Sequence, residues 1–368
     1  MAKKPLKDKL NELPPVRTSS ELDEKLLELN SDQRVALLRK ENDTLRNKLN
    51  KKDAGWDIVK TAFEQAYDED LRIEIIPPRK STKKKYVEEA VLHLTDVHIG
   101  KQTLTYNSTV AAERIISTFQ STEEIVKLRR NFATIDKLHL LLGGDLIEGE
   151  GNIFPGQAHE IDQDLIEQCI KEGPNYIANL ILSLLELFPN IVIKGVPGNH
   201  GRTGRFNPKR NNSDSIFYEI VRLIVNRALT PKDQKRVEWD LPFDRPNGSE
   251  WYAQGKFVDT WGYLLVHGDQ IRGALGFPWY GYGKKVAGWA SHLDPWDYLF
   301  AGHFHTHASF DIQDREVLST GSMESDNAYA LENMAAAGSP KQRLCFINKS
   351  RGLIDDSRIH LEERKPHK

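Results

Sequence analysis

Ile191-Val192-Ile193-Lys194-Gly195-Val196-Pro197-Gly198-Asn199-His200 is the stretch on which the fold of this chain turns. The apolar run Ile191-Val192-Ile193 reads as a short buried strand. Pro197 and Gly198 then turn the backbone, leaving an amide and an imidazole at the strand's end. In an α/β sheet, ligand sites lie at the carboxyl ends of strands. A Gly-Asn-His turn is weak evidence alone, so its meaning depends on what stands at the other strand ends.

Upstream, Val91 to Thr95 is a strand candidate that runs directly into Asp96-Val97-His98-Ile99-Gly100. Side chains two apart in extended backbone point the same way. Asp96 and His98 would then offer a carboxylate and an imidazole to one point, either as half of a metal site or as a chance pair in a turn. A helical stretch over about 110–131 carries Ile115, Ile116, Phe119 and Ile125. Leu138 to Leu142, broken only by His139, has the apolar texture of a buried sheet strand and ends in Gly143-Gly144-Asp145. A helix-rich segment over 162–187 leads back to the opening stretch. Downstream, Tyr263 to Val266 ends in His267-Gly268-Asp269. Tyr298 to Ala301 ends in Gly302-His303-Phe304-His305-Thr306-His307. Alternation would put His303 and His305 on one face, with His307 surplus to the site. Metal-ligating residue types thus recur at five strand ends, which chance does not account for.

The composition agrees with a soluble globular chain. Of 368 residues, 39% are hydrophobic and 28% charged, enough for one large domain or two ordinary ones. A formal net charge of -2 argues against a protein that coats nucleic acid through general basicity, though not against a local basic patch. Cys169 and Cys345 have no zinc-knuckle or disulfide spacing. Met1-Ala2-Lys3-Lys4-Pro5 leads into charges rather than an apolar signal core. The most apolar long run, Tyr176 to Phe188, is too short to span a bilayer and carries Glu186, so it reads as a buried amphipathic helix. A cytoplasmic protein without membrane contact is expected.

Residues 1–86 differ in texture from the rest of the chain. Residues 1–20 bear lysine and proline and are expected to be disordered. Residues 21–86 read as a helical region and basic linker. Leu22, Leu26 and Leu29 recur at helical spacing, and Leu38, Leu45 and Leu49 fit part of a heptad stripe. That pattern suits a helical hairpin on its own domain, or a short coiled coil for a protein partner or self-association. Trp56, Val59, Phe63 and Tyr67 continue the helical pattern, and Leu71 to Ile76 reads as a strand. Arg79 to Lys85 is a basic run, a solvated linker or a phosphate contact. Residues 87–362 form the main domain.

Taken in order, Asp96-x-His98, Gly144-Asp145, Gly198-Asn199-His200, His267-Gly268 and Gly302-His303-x-His305 resemble the signature of the calcineurin-like metallophosphoesterases, over about residues 88–330. The resemblance implies an α/β fold, a four-layer αββα sandwich of two mixed sheets, here with an N-terminal helical extension. It implies two divalent metal ions: Asp96, His98 and His305 on the first, Asn199, His267 and His303 on the second, and Asp145 bridging. His200 would sit over the scissile phosphate as catalytic acid or electrostatic stabiliser. The chemistry suits these residue types. Two cations about 3.5–4 Å apart neutralise an anionic ester, orient it and generate hydroxide from a bridging water. Carboxylate, amide and imidazole without thiolate suit Mn²⁺, the expected metal, or Fe or Zn²⁺. An imidazole acid contributes roughly 10²–10⁴-fold.

Two departures matter. The family often has a carboxylate after the Asn-His pair, and here Gly201 stands there, so an orienting carboxylate must come from elsewhere or be absent. After Asp145 the chain reads Leu146-Ile147-Glu148-Gly149, without the Asp-Arg-Gly of serine/threonine protein phosphatases.

For the substrate, Arg202 and Arg205, followed by Lys209 and Arg210, would grip flanking phosphates or form a solvated basic loop. Arg272 and the run Gly276 to Lys285, with Trp279, Tyr280 and Lys284, suit a base-stacking platform or a self-packed lid. Phe154 to His159 is another lid candidate. The pattern is most similar to the DNA-repair-exonuclease branch, which includes virus-encoded members and implies DNA as partner, although the C-terminal capping domain of that branch is not expected here. Hydrolysis of a nucleotide or other small ester, and a scaffold with a degenerate metal site, are the alternatives.

Overall fold

The computed structural model describes residues 75, 76, 78, 86–151, 153, 156–202, 211–273, 278–326 and 339–363. The expectations of disorder over 1–20, of helices between 21 and 67 and of a basic linker at 79–85 lie outside them. Phe154, Pro155, Arg205, Lys209, Arg210, Gly276 and Phe277 lie outside as well. Ile75 and Ile76, expected at the end of a strand, are in irregular backbone.

The first sheet grows from strand–helix alternation. Its elements are β1 (Tyr86–Leu94), α1 (Ser108–Arg129), β2 (Ala133–Leu142), α2 (Gly173–Leu187), β3 (Asn190–Gly195), α3 (Ser213–Ala228) and β4 (Val237–Asp240). Helix starts are chemically marked. The Asn107 side chain accepts from the Val110 amide at 2.9 Å and caps α1, Asn212 accepts from the Asp214 amide at 2.8 Å and caps α3, and α2 opens with Pro174. The second half carries β5 (Tyr252–Phe257), β6 (Trp261–Val266), α4 (Trp279–Ala290), β7 (Tyr298–Ala301), β8 (Ala308–Ile312) and β9 (Arg315–Ser319). Then β10 (Lys341–Asn348) and β11 (Gly352–His360) return to the first sheet.

The strand orders are β11-β10-β1-β2-β3-β4 and β5-β6-β7-β9-β8. In the first, β1 to β4 are mutually parallel and β10 runs antiparallel to β1. In the second, β6, β7 and β9 are parallel, flanked by antiparallel β5 and β8. Both sheets are mixed, and three apolar layers separate four structural layers. Ala90, Leu92 and Leu94 of β1 pack with Ile177, Ile181 and Leu184 of α2. Val91 points the other way and meets Tyr263, Leu265 and Phe300 of the second sheet. Leu264 and Val266 pack against Tyr282 and Val286 of α4. The αββα sandwich of two mixed sheets expected from the motifs is therefore the architecture found. Each fully buried aliphatic side chain contributes about 1.5–3 kcal/mol, so the two-sided strands are its main anchors.

Two expectations change. Strands β4, β5 and β8 to β11 were not anticipated, because segments such as Val237-Glu238-Trp239-Asp240 and Ala308-Ser309-Phe310-Asp311-Ile312 mix charge with short apolar stretches at or near sheet edges. The run expected to be a loop through Lys285 is helical from Trp279 onward, since Tyr282 and Val286, four apart, both bury on the sheet. Cys169 and Cys345 are buried free thiols. Among the described residues no helix is long and apolar enough to cross a membrane.

Candidate metal centre

The strands that end in metal-ligating residue types run parallel within each sheet, so their carboxyl ends lie at one edge. The ladder continues beyond the strands and locks the loops together. The Asp96 amide donates to the Gly144 carbonyl at 3.0 Å, and His98 donates to Asp145 at 3.0 Å. The Gly302 amide donates to the His267 carbonyl at 2.8 Å. Asp96, His98, Asp145, His303 and His305 all adopt positive φ, between 50° and 69°. They are five of the nine such non-glycine residues among those described. This backbone is sparsely populated for L-residues and costs about 1–3 kcal/mol at each, so the surrounding hydrogen bonds must hold it.

This conformation corrects the alternation argument. Asp96 and His98 do face a common point with His305, but through left-handed turns after β1 rather than extended strand. His303 and His305 part instead of sharing a face: His305 groups with Asp96 and His98, and His303 with Asp145 and His267. His307 stays outside, its ring 3.9 Å from the Asp356 carboxylate.

The donor atoms converge closely. His305 Nε2 lies 3.3 Å from Asp96 Oδ1 and 3.2 Å from His98 Nε2. His267 Nε2 lies 2.9 Å from Asp145 Oδ2 and 3.1 Å from Asn199 Oδ1. Asp145 belongs to two groups, one with His267 and His303 and one with His98 and His200. The far nitrogens of three rings are already engaged. His98 Nδ1 meets Glu148 Oε2 at 2.9 Å, His305 Nδ1 meets Glu324 Oε1 at 2.8 Å, and His267 Nδ1 meets the Gly143 carbonyl at 2.9 Å. These acceptors make each Nδ1 the protonated nitrogen and turn the Nε2 lone pair inward, the arrangement of metal-binding imidazoles. Two inward lone pairs 3.2 Å apart on His98 and His305 suit a cation between them.

The electrostatics agree. Burial opposes charge on His267, yet the adjoining Asp145 carboxylate outweighs it and raises the imidazole to about 9. His305 is likewise held well above its ordinary value, with Glu324 and Asp96 overcoming burial. Burial, helped by the His267 charge, outweighs the nearby carboxylates at His303 and lowers it to about 4, leaving a neutral ring. Burial would raise Asp145, but His267 and His200 hold it well below the usual carboxylate range. The carboxylates thus draw protons onto His267 and His305, and a divalent cation bound at the same Nε2 atoms would take the place of those protons.

Three further residues complete the centre. Glu148 is fully buried. Its Oε1 is held by Gln157 Nε2 at 3.2 Å and Lys101 Nζ at 3.5 Å, which aims Oε2 at His98 and, 3.1 Å away, at His200 Nδ1. Glu148 is therefore the carboxylate beside His200 that Gly201 does not supply. Gly201 itself is packed against the start of α3: a Cβ there would lie 2.3 Å from Asn212 Oδ1. Glu324 performs the same service for His305. Asp214 accepts from the amides of Asp145 at 2.9 Å, Leu146 at 3.2 Å and Gly198 at 2.8 Å, pinning two ligand turns to each other. Asp214 alone had a sequence signal, the Asn212-Ser213-Asp214 helix start. Glu148 and Glu324 stand in irregular loops where nothing periodic marks them.

The expected substrate residues are placed less centrally. Arg202 is ion-paired with Asp269 and is not a free cation. Arg272 and Lys284 are exposed. Tyr280 is 77% exposed and Trp279 42%, the latter with its ring 4.9 Å from Phe310. Tyr282 of the same helix packs on Phe304, which lies between His303 and His305 in the chain. His159 is exposed on a 3₁₀ turn.

No family model and no curated protein matches the chain. Among solved structures, an archaeal phosphodiesterase aligns with 74% of this chain and 99% of its own, at 9% identity and a TM-score of 0.34. Vps29 from Entamoeba histolytica, solved with Zn²⁺, aligns with 74% of this chain and 99% of its own, at 11% identity and a TM-score of 0.33. Likenesses this low carry no argument, and function rests on the geometry of the centre.

Proposed function

We propose that this protein is a metal-dependent hydrolase of phosphoric esters, acting on phosphodiester bonds and on DNA in particular. The observation that carries this is the convergence of Asp96, His98, Asp145, Asn199, His267, His303 and His305 from five loops onto one sheet edge. Two divalent ions held there, Mn²⁺ foremost, with Fe or Zn²⁺ as alternatives, would supply charge neutralisation and activation of a water for attack on phosphorus. Asp96, His98 and His305 form one receptor and Asn199, His267 and His303 the other, with the Asp145 carboxylate shared between them. The residues fix their own geometry: the His303 amide donates to both Asp96 oxygens at 3.0 Å, and the His200 amide donates to Asp145 Oδ1 at 2.7 Å.

His200 is the proton donor. Its Nδ1 faces Glu148, so Nε2 is the nitrogen left to protonate the leaving oxygen. Burial disfavours the imidazolium, but the Glu148 and Asp145 charges raise it to about 9, which keeps the proton available at neutral pH. DNA is favoured as substrate by exposed Tyr280, Trp279, Lys284 and Arg272, aromatic and cationic groups carried on the loop and helix that follow the His267 turn. Purified protein with Mn²⁺ is expected to cut linear or single-stranded DNA, and Asp145→Asn is expected to lower the rate by at least about 10³-fold. Cleavage of small diesters without any cleavage of polynucleotides would replace DNA with a small-molecule substrate.

A further inference from the structure

Two cations beside the turns of the centre, Lys101 and Arg202, are paired with carboxylates. Lys101, buried to 1% exposure, sits 2.7 Å from Glu160 and 3.5 Å from Glu148. Arg202, two residues past His200, pairs with Asp269, two residues past His267. The Arg202–Asp269 pair therefore bridges the turn after β3, which carries Asn199, to the turn after β6, which carries His267. The Asp269 side chain is 7% exposed and the Arg202 side chain 28%, so the carboxylate is the inner partner and the guanidinium faces out. Asp269 is close enough that its charge acts on both His267 and His303. Lys101 and Arg202 are thus both neutralised, while Arg272 and Lys284 stand exposed farther along the loop and helix that follow β6. A phosphodiester carries one negative charge, whereas a monoester with its second pKa near 6 carries almost two at neutral pH. The second charge needs an uncompensated cation, and Asp269 removes the one that Arg202 would offer.

We propose that the Arg202–Asp269 pair sets the phosphate charge this site accepts, selecting a diester monoanion over a monoester dianion. This rests on the phosphoesterase reading above and names the feature that decides its substrate class. Arg202 and Asp269 are specificity-determining residues, and the effect is one of charge rather than of contact, so single substitutions act in opposite directions and a double substitution restores the balance.

The test measures kcat/KM for p-nitrophenyl phosphate and bis(p-nitrophenyl) phosphate with saturating Mn²⁺. In parallel, calorimetry measures the affinity of the Mn²⁺-loaded protein for inorganic phosphate and for dimethyl phosphate. Asp269→Asn is expected to raise the monoester-to-diester ratio about tenfold, equal to about 1.4 kcal/mol, and to tighten phosphate binding by a similar factor while leaving dimethyl phosphate within about threefold. Arg202→Met is expected to lower both by about as much, and the double variant to return both close to the wild-type values. An unchanged ratio and unchanged phosphate affinity in both single variants, or a double variant that keeps the Asp269→Asn values, overturns the proposal. A wild-type protein that binds Mn²⁺ yet hydrolyses neither ester overturns the phosphoesterase reading instead, and the calorimetric arm still decides charge selection.

Discussion

Replacing Glu148 with glutamine tests the centre at the point where its parts meet. One carboxylate oxygen lies 2.9 Å from His98 Nδ1 and 3.1 Å from His200 Nδ1. An amide of the same size accepts from one ring at most and presents a second donor to the other. Burial would raise the Glu148 carboxyl, but the His200 charge 3.1 Å away and the hydrogen bond from His98 hold it below the ordinary range. The anion is thus what keeps both rings oriented. Its removal has two separate costs. At His98, removing an outer partner of a ligand costs about 10–100-fold in metal affinity. At His200, losing the oriented acid costs about 10²–10⁴-fold in rate. These separate when Mn²⁺ is varied, because saturating metal recovers the first and not the second. Initial rates for Glu148→Gln should therefore show KM within about threefold and kcat down by about 10² or more at saturating Mn²⁺. The leaving group gives a second discriminator. A p-nitrophenolate needs little protonation, whereas a nucleoside alkoxide needs a full proton, so the loss should be about tenfold larger on a dinucleotide than on the aryl ester. A variant with near-wild-type kcat on the dinucleotide at saturating Mn²⁺ refutes the role given to Glu148 and, with it, that of His200.

Packing and burial have further measurable consequences. Gly198→Ala places a Cβ 2.0 Å from Asp145 Oδ1, so the domain should remain folded by circular dichroism while Mn²⁺ binding measured by equilibrium dialysis is lost. Asp214→Asn exchanges a buried carboxylate that accepts three amide hydrogens for a neutral group with one acceptor oxygen. A loss of about 1–3 kcal/mol is expected in urea unfolding, and an unchanged midpoint would refute the pinning role. His93 is fully buried, and burial followed by the Arg343 charge lowers it from 6.5 to about 3. It takes up its proton only on unfolding, so its contribution, on the order of 5 kcal/mol, is intact above pH 6.5 and is lost as pH falls from 6.5 towards 3. His93→Gln should flatten the fall in Tm across that window, and a slope equal to the wild-type slope would show that other groups carry it.

How much of this was legible in the sequence depends on which forces are local. Strands β1, β2, β6 and β7 were readable because their apolar runs are buried on both faces, and β3 because Ile191-Val192-Ile193 leads into a glycine turn, each followed by metal-ligating residue types. The two-sheet sandwich was implied by the family resemblance that the motifs at those ends carry. Strands β8 and β11 were not readable, since exposed and half-buried positions interrupt both and no apolar run marks them. The aromatic run after Arg272 misled because its glycines suggested a loop, while the Tyr282 and Val286 spacing that makes it a helix is visible only once a sheet lies beneath it.

The candidate ligands that converge were legible, and their supports were not, for one physical reason. A ligand must stand at a strand end, and strand ends have a signature. A supporting carboxylate needs only to reach a ring nitrogen, from any loop that passes nearby. Gly201 shows the consequence. The position after His200 is filled by the capped start of α3, with Asn212 Oδ1 where a side chain would go. A carboxylate there would cost the cap that positions Asp214, and Asp214 holds the Asp145 and Gly198 turns. The chain resolves the conflict by drawing the carboxylate from the Asp145 loop. Lys101 and Gln157 fix one Glu148 oxygen, and the other serves His98 and His200 together. The apparent defect at Gly201 and the unmarked Glu148 are thus one arrangement. A carboxylate introduced at residue 201 should therefore disrupt the α3 cap rather than improve the acid.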